Sequence, residues 1–241
     1  MGMPVIVEIK DSSANDTIMS RVFDYFIYVD EVFSTYKSNS EISRINNGTL
    51  LLKNANKDVQ DIFDLSEKTK IETNGYFDIR KEDGTYDPSG IVKGWAIHNA
   101  TQILLEEGYK DFYVEAGGDI QVHGRENEGW NIGIKNPFNV NEIIKVVRLK
   151  NNEGIATSGS YERGSHIYNP KNKQDALNAI VSLTVIGPNI YEADRFATAA
   201  FVMQEKGISF IEKLEGFEGY MVDSNKIATM TSGFTKYVKN S

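Results

Sequence analysis

The apolar periodicity of this chain switches near Gly108 from helical spacing to short alternating runs, and nowhere does it settle into a repeated strand–helix–strand unit. Before the switch, Ile18, Val22, Tyr25, Phe26, Val29 and Phe33 recur at helical spacing behind a cap at Asp16 or Thr17. A second amphipathic helix is expected over 58–73 through Val59, Ile62, Phe63 and Leu65, closed near Asn74-Gly75. A third is expected over 90–108, with Gly108 placed as its C-terminal cap. Residues 5–10 read as a first strand, and 34–47, which are polar, as a loop. After the switch, residues 112–116, 120–123, 130–135, 143–149, 154–158 and 180–185 read as strands punctuated by Gly, Asn and Asp. Helices follow over 192–204 and 208–214, and the strands 220–223 and 226–230 form a last hairpin around Ser224-Asn225. Helices and strands mixed without βαβ alternation imply an α+β fold with largely antiparallel sheets. No internal repeat or Pro/Gly-rich linker divides the 241 residues, so one domain over 1–241 is expected.

Charge and cysteine usage narrow the function classes. The formal net charge of −8 disfavours broad nucleic-acid or membrane binding, although 26 Lys and Arg leave room for a local anion pocket. With no cysteine, disulfides, thiolate metal sites and Cys nucleophiles are excluded. Residues 1–10 lack a basic start followed by an apolar run, and no stretch approaches the roughly 20 apolar residues of a membrane helix. The expected compartment is the cytoplasm, the alternative being an exported form whose leader has been removed.

Four segments carry residue types suited to chemistry. Asp87-Pro88-Ser89-Gly90-Ile91-Val92-Lys93 runs from a turn into a helix start, where free N–H groups favour phosphate and Lys93 can reach an oxygen. Its plainer reading is a Pro-Ser cap with a solvated lysine. Glu115-Ala116-Gly117-Gly118-Asp119 is a tight turn between strands, beside which Asp119 could orient a ligand or its loop. Ala156-Thr157-Ser158-Gly159, with small hydroxyl residues at a strand end, is followed by His166-Ile167-Tyr168-Asn169-Pro170, which holds one of three histidines; His is the commonest general base near neutral pH, and the plainer reading is a structural or exposed histidine. Asp194 and Thr198, four apart, share a helix face and make a hard oxygen pair suited to Mg²⁺. The alternative for that pair is an acid complementing a helix dipole beside a packed threonine.

Taken in order, these segments are similar to those of the ApbE family of FAD:protein FMN transferases, nearly end to end. Met1-Gly2, Phe33-Ser34-Thr35-Tyr36, Ser40-Glu41-Ile42-Ser43-Arg44-Ile45-Asn46 and Gly75-Tyr76-Phe77-Asp78 join the four segments above in register. The resemblance implies a flavin pocket with Tyr36 near the isoalloxazine and Met1, Tyr76, Phe77 and Asp78 in the same pocket. It implies FAD contacts from Asp87 and Lys93, with Thr157 and Ile167 in the same binding set. It also implies Mg²⁺ held by the Gly90 carbonyl and by Asp194 and Thr198, and His166 as the base, so that His166, Lys93 and Asp194 form the catalytic set. FAD would be a substrate, its FMN half passing to a Thr or Ser hydroxyl of an acceptor flavoprotein with release of AMP. The family's acceptor motif, roughly Asp-x-x-Ser/Thr-Gly-Ala-Ser/Thr, is absent from this sequence, which implies transfer to a separate protein. Two alternatives stand beside this reading: a Mg²⁺-dependent FAD pyrophosphatase, and a non-catalytic FAD-binding protein.

Overall fold

The computed structural model describes residues 2–125, 127–159, 169–172 and 177–239. The chain opens with β1 (Val5–Ile9), then α1 (Asp16–Phe33), α2 (Glu41–Asn46), α3 (Lys57–Glu72) and α4 (Ser89–Glu106). The strands β2 (Phe112–Ala116), β3 (Asp119–His123), β4 (Trp130–Asn136), β5 (Asn139–Leu149), β6 (Gly154–Gly159) and β7 (Ile180–Gly187) follow. Helices α5 (Ile190–Val202) and α6 (Lys206–Ile211) and strands β8 (Glu218–Asp223) and β9 (Ala228–Met230) complete the order. The fold is α+β, and every strand pairing among the described residues is antiparallel.

Seven of these strands form one sheet in the order β1-β2-β3-β6-β7-β8-β9, while β4 and β5 make a separate hairpin. Alternation along each strand sends side chains to two different cores. Phe112, Val114, Ala116, Ala156, Leu183, Val185 and Met221 face the helices. Ile120, Val122, Ile155, Ile186 and Val222 face the other way and pack with Trp130, Ile134, Val147 and Leu149 of the hairpin. The main sheet is thus covered by helices on one face and by the β4–β5 hairpin on the other.

Helix α4 is the axle of the helical layer. Its buried residues, including Ile91, Val92, Ala96, Ile97, Ala100 and Leu104, surround it rather than forming a stripe, as suits a helix covered on several sides. Helices α1, α3 and α5 and strands β2 and β3 all contact it. The loop expected over 34–47 is partly helical, which corrects that reading. Ser40 Oγ accepts a 3.0 Å bond from Ser43 N, Glu41 complements the dipole in the first turn, and Ile42 is buried. The cap of α1 is Asn15 rather than Asp16 or Thr17; its Oδ1 accepts from Thr17 N at 3.0 Å and Ile18 N at 3.2 Å.

Arg195 fastens α5 to α3. Its guanidinium is buried, donates to Thr69 Oγ1 at 3.2 Å, and pairs with Glu72 and Glu192. Glu72 and Glu192 are more exposed and can be rehydrated, so Arg195→Met should cost near the lower end of the usual range, about 3 kcal/mol. Urea unfolding reads this directly; an unchanged midpoint would show that α3 and α5 are held by apolar packing alone.

Candidate active site

Two antiparallel helices and one hairpin turn build the site. Along α4 and α5, Gly90 lies beside Thr198 and Gly94 beside Asp194. Thr198 Oγ1 is 3.4 Å from the Gly90 carbonyl oxygen, and Gly94 N donates to Asp194 Oδ2 at 2.7 Å. The helices can approach this closely only because both α4 positions lack a side chain. A Cβ on Gly94 would sit 2.6 Å from Asp194 Cβ and 2.8 Å from the Ile190 carbonyl oxygen. On Gly90 it would meet Thr198 Cγ2 at 3.3 Å and Phe77 Cε2 at 3.4 Å.

The third component is Asp119, set at the start of β3 by the Gly117-Gly118 turn. Both glycines have positive φ, 59° and 91°, the backbone of a two-residue hairpin that other residues adopt only with strain. Asp119 is buried; its Oδ1 accepts from Thr157 N at 3.1 Å, and Thr157 Oγ1 lies 2.8 Å from Thr184 Oγ1. Asp119 Oδ2 has no aligned hydrogen-bond donor, but the Lys93 ammonium stands 2.6 Å away as its ion-pair partner. The same ammonium is 3.7 Å from Asp194 Oδ1. One cation therefore stands between two buried carboxylates. Burial pushes the Asp194 carboxyl up, Lys93 pulls it back, and Asp119 pushes it up again, leaving it at about 7.

Lys93 also borders a cavity of about 390 Å³ lined by Met3, Val29, Phe33, Tyr36, Asp87 and Val92 among others. Its walls are largely apolar, and Tyr36 is 97% exposed, which leaves both faces of its ring open to a planar ligand. Asp87 turns its Oδ1 to Ser89 N at 3.1 Å, shaping the entry to α4.

The structure gathers Gly90, Lys93, Asp194 and Thr198, with Thr157 one step behind through Asp119, and it places Tyr36 and Asp87 in the adjoining cavity. Tyr76, Phe77 and Asp78 are dispersed. Phe77 is buried against Gly90, whereas Asp78 pairs with Lys70 at 2.7 Å. Tyr76 lines a second cavity of about 300 Å³ with Asn169 and Met203, and Lys171 Nζ lies 4.6 Å from its ring centre. Met1, His166 and Ile167 lie outside the described residues. The sequence reading missed Gly94 and left Asp119 without a partner. Gly94 carried a signal, since it stands one helical turn from Gly90 on the same face, as Asp194 and Thr198 do on theirs.

The chain belongs to the ApbE family, whose model matches residues 1–83 and 79–221. It is 30% identical over 146 residues to the FAD:protein FMN transferase of Escherichia coli K12, covering 56% of this chain and 42% of that protein. To the FAD:protein FMN transferase of Vibrio cholerae serotype O1 it is 30% identical over 166 residues, covering 64% and 48% respectively. The aligned part thus spans somewhat under half the length of these curated relatives. Among solved structures, the flavin transferase ApbE of Vibrio cholerae superposes with a TM-score of 0.85 at 21% identity, covering 98% of this chain and 96% of that one. The ApbE protein of Thermotoga maritima gives 0.87 at 21% identity, covering 99% and 97%. These likenesses define an ApbE fold over nearly the whole chain. No helix among the described residues is long and apolar enough to cross a membrane.

Proposed function

We propose that residues 1–241 form one domain that acts as a Mg²⁺-dependent FAD:protein FMN transferase, moving the FMN half of FAD to a Thr or Ser hydroxyl of a separate acceptor flavoprotein. The observation that carries this reading is the gathering of one largely buried ammonium, two carboxylates, a hydroxyl and a backbone carbonyl, with the ammonium lining a largely apolar cavity of about 390 Å³. The family relatives named as FAD:protein FMN transferases support the choice of substrate.

The oxygens suit Mg²⁺. Among the described residues no three His, Asp or Glu side chains gather as a metal cage. The donors are instead mixed, with the Asp194 carboxylate, the Thr198 hydroxyl and the Gly90 carbonyl available and Asp119 close behind. Mg²⁺ is usually held by one or two carboxylates, with waters and substrate phosphates completing its shell. When bound, the ion neutralises charge that builds on the phosphoryl oxygens. Mn²⁺ fits the same hard donors.

The chain's own groups do the rest. Asp119 holds the Lys93 ammonium at the cavity end, where it can pair with a pyrophosphate oxygen. Tyr36 offers a stacking surface for the non-reacting end of FAD. The acceptor hydroxyl oxygen bonds to the FMN-side phosphorus while the bond to the AMP oxygen breaks, and AMP leaves. The hydroxyl proton passes to His166 in this reading. His166→Ala should therefore slow transfer far more than it weakens FAD binding; equal losses in both would remove His166 as the base.

Purified protein mixed with FAD, Mg²⁺ and a polypeptide bearing the acceptor motif should yield an FMN adduct on that polypeptide and stoichiometric AMP, both seen by mass spectrometry. AMP and free FMN without adduct would make the protein a pyrophosphatase, and intact bound FAD would make it a binding protein. Gly94→Ala tests the helix contact beneath the site. Overpacking there should cost about 1–3 kcal/mol of stability. Because the clash is with Asp194 itself, AMP release measured where the variant is still folded should fall as well.

A further inference from the structure

We infer that Gln121 is a positioning residue for the metal donors, fixing the register of α5 against α4 so that Gly90, Asp194 and Thr198 face one point. The inference rests on the metal assignment proposed above.

The contacts between α4 and α5 fall on a ladder of four-residue steps. Gly90 meets Thr198, and Gly94 meets Asp194. The next step would join His98 to Ile190, and there Gln121 of β3 stands between the helices. Gln121 is 1% exposed. Its Oε1 accepts from Ile190 N at 3.1 Å, and its Nε2 donates to Thr101 Oγ1 at 3.1 Å. His98 Nδ1 lies 3.3 Å from the same Oε1, and the Thr101 hydroxyl donates to the His98 carbonyl at 2.6 Å. The orientation of the amide is dictated by its partners. Ile190 N can only donate, and Thr101 has already spent its proton on His98. One side chain thus links strand β3, which carries Asp119, with helix α4, which carries Gly90 and Lys93, and with the first residue of α5, which carries Asp194 and Thr198.

Ile190 N is a helix-start N–H with no partner inside its own helix, and it is buried where water is excluded. A Cβ on Gly154 would stand 2.1 Å from it, so β6 presses the backbone of α5 onto this point. With the amide present, α5 has one favourable axial position. Without it, α5 must shift to find another acceptor. A shift at Ile190 is carried along the helix to Asp194 and Thr198, since both ride the same rigid rod. Asp119 and Gln121 sit two apart on β3 and therefore on one face, so the strand that aims the partner of Lys93 also aims the clamp.

Mn²⁺ serves as the probe, read as loss of the free-ion EPR signal on titration into the full chain without FAD. Gln121→Met, which keeps volume but removes both hydrogen-bonding ends, should weaken Mn²⁺ binding roughly 10–100-fold. Gln121→Glu keeps an acceptor for Ile190 N and should stay nearer to the unaltered protein than Gln121→Met does. Val122→Ala is the control, because Val122 is the next residue of β3 and points into the opposite core. It should lower the melting temperature and leave Mn²⁺ affinity unchanged. If Gln121→Met binds Mn²⁺ as the unaltered protein does, or if Val122→Ala weakens binding equally, Gln121 does not position the donors. No Mn²⁺ binding by the unaltered protein, either without FAD or with it, would remove the metal assignment itself and the inference with it.

Discussion

Asp194→Asn should lower Mg²⁺-dependent AMP release from FAD by about 10³-fold while leaving the fold intact. The substitution is nearly isosteric, and the amide oxygen can still accept from Gly94 N, the 2.7 Å bond that joins the helices. Only the charge is lost. A bound metal contributes several kcal/mol of charge stabilisation in the transition state, and each 1.36 kcal/mol is tenfold in rate. Thermal stability without metal should hold or rise, because the native carboxyl is buried beside another acid. Full activity in Asp194→Asn at limiting Mg²⁺ would place the metal elsewhere.

Lys93→Met should be the most pH-dependent of the variants. Removing the ammonium leaves Asp119 and Asp194 buried together with no cation between them, a change that typically costs 3–5 kcal/mol, here about 3 because one acid can take up a proton. The sign follows from Asp194. Its folded value of about 7 lies above its ordinary 3.8, so it contributes stability below 3.8 that is lost as pH rises through 7. Lys93 is the group that pulls this carboxyl down. Without it the folded value climbs further, and the loss extends to higher pH. The metal-free variant should therefore lose less stability at about pH 5 than at about pH 8. Urea titrations at both values measure this. A deficit equal at the two pH values would mean that Lys93 contributes packing rather than charge.

Much of the architecture could be read along the chain because it rests on local pattern. The stripe from Ile18 to Phe33 is α1, and residues 112–116 are β2 to the residue. The short helix α2 was hidden because one turn and a half buries only Ile42, too little for a periodic signal. The site shows the same division. Asp194 and Thr198 were legible as a pair because helical spacing alone puts them on one face. The Lys93–Asp119 pair was not, since its members come from α4 and β3 and meet only through the tertiary fold. Gln121 had a faint signal in its two-residue spacing from Asp119, but nothing in the sequence says that Ile190 N would need an acceptor there. Tyr76 and Asp78 stand next to Phe77 in sequence, yet the turn after α3 sends the three side chains to different neighbours.

Strand β1 is made well before its partner and paired late. Ile9 lies opposite Phe112 and Val5 opposite Ala116, so the edge of the main sheet waits for about 100 further residues to be synthesised. At about 5–20 residues per second that interval is on the order of 5–20 s on the ribosome. During it, Val5, Ile6 and Val7 are an unpaired apolar strand in the nascent chain. The helices α1 to α4, whose contacts are nearer in sequence, can collapse meanwhile, and the β2–β3 hairpin then closes the sheet on them. Shortening the wait, by a permuted chain that begins at α1 and carries β1 at its far end, would change the order of assembly while leaving the finished sheet the same.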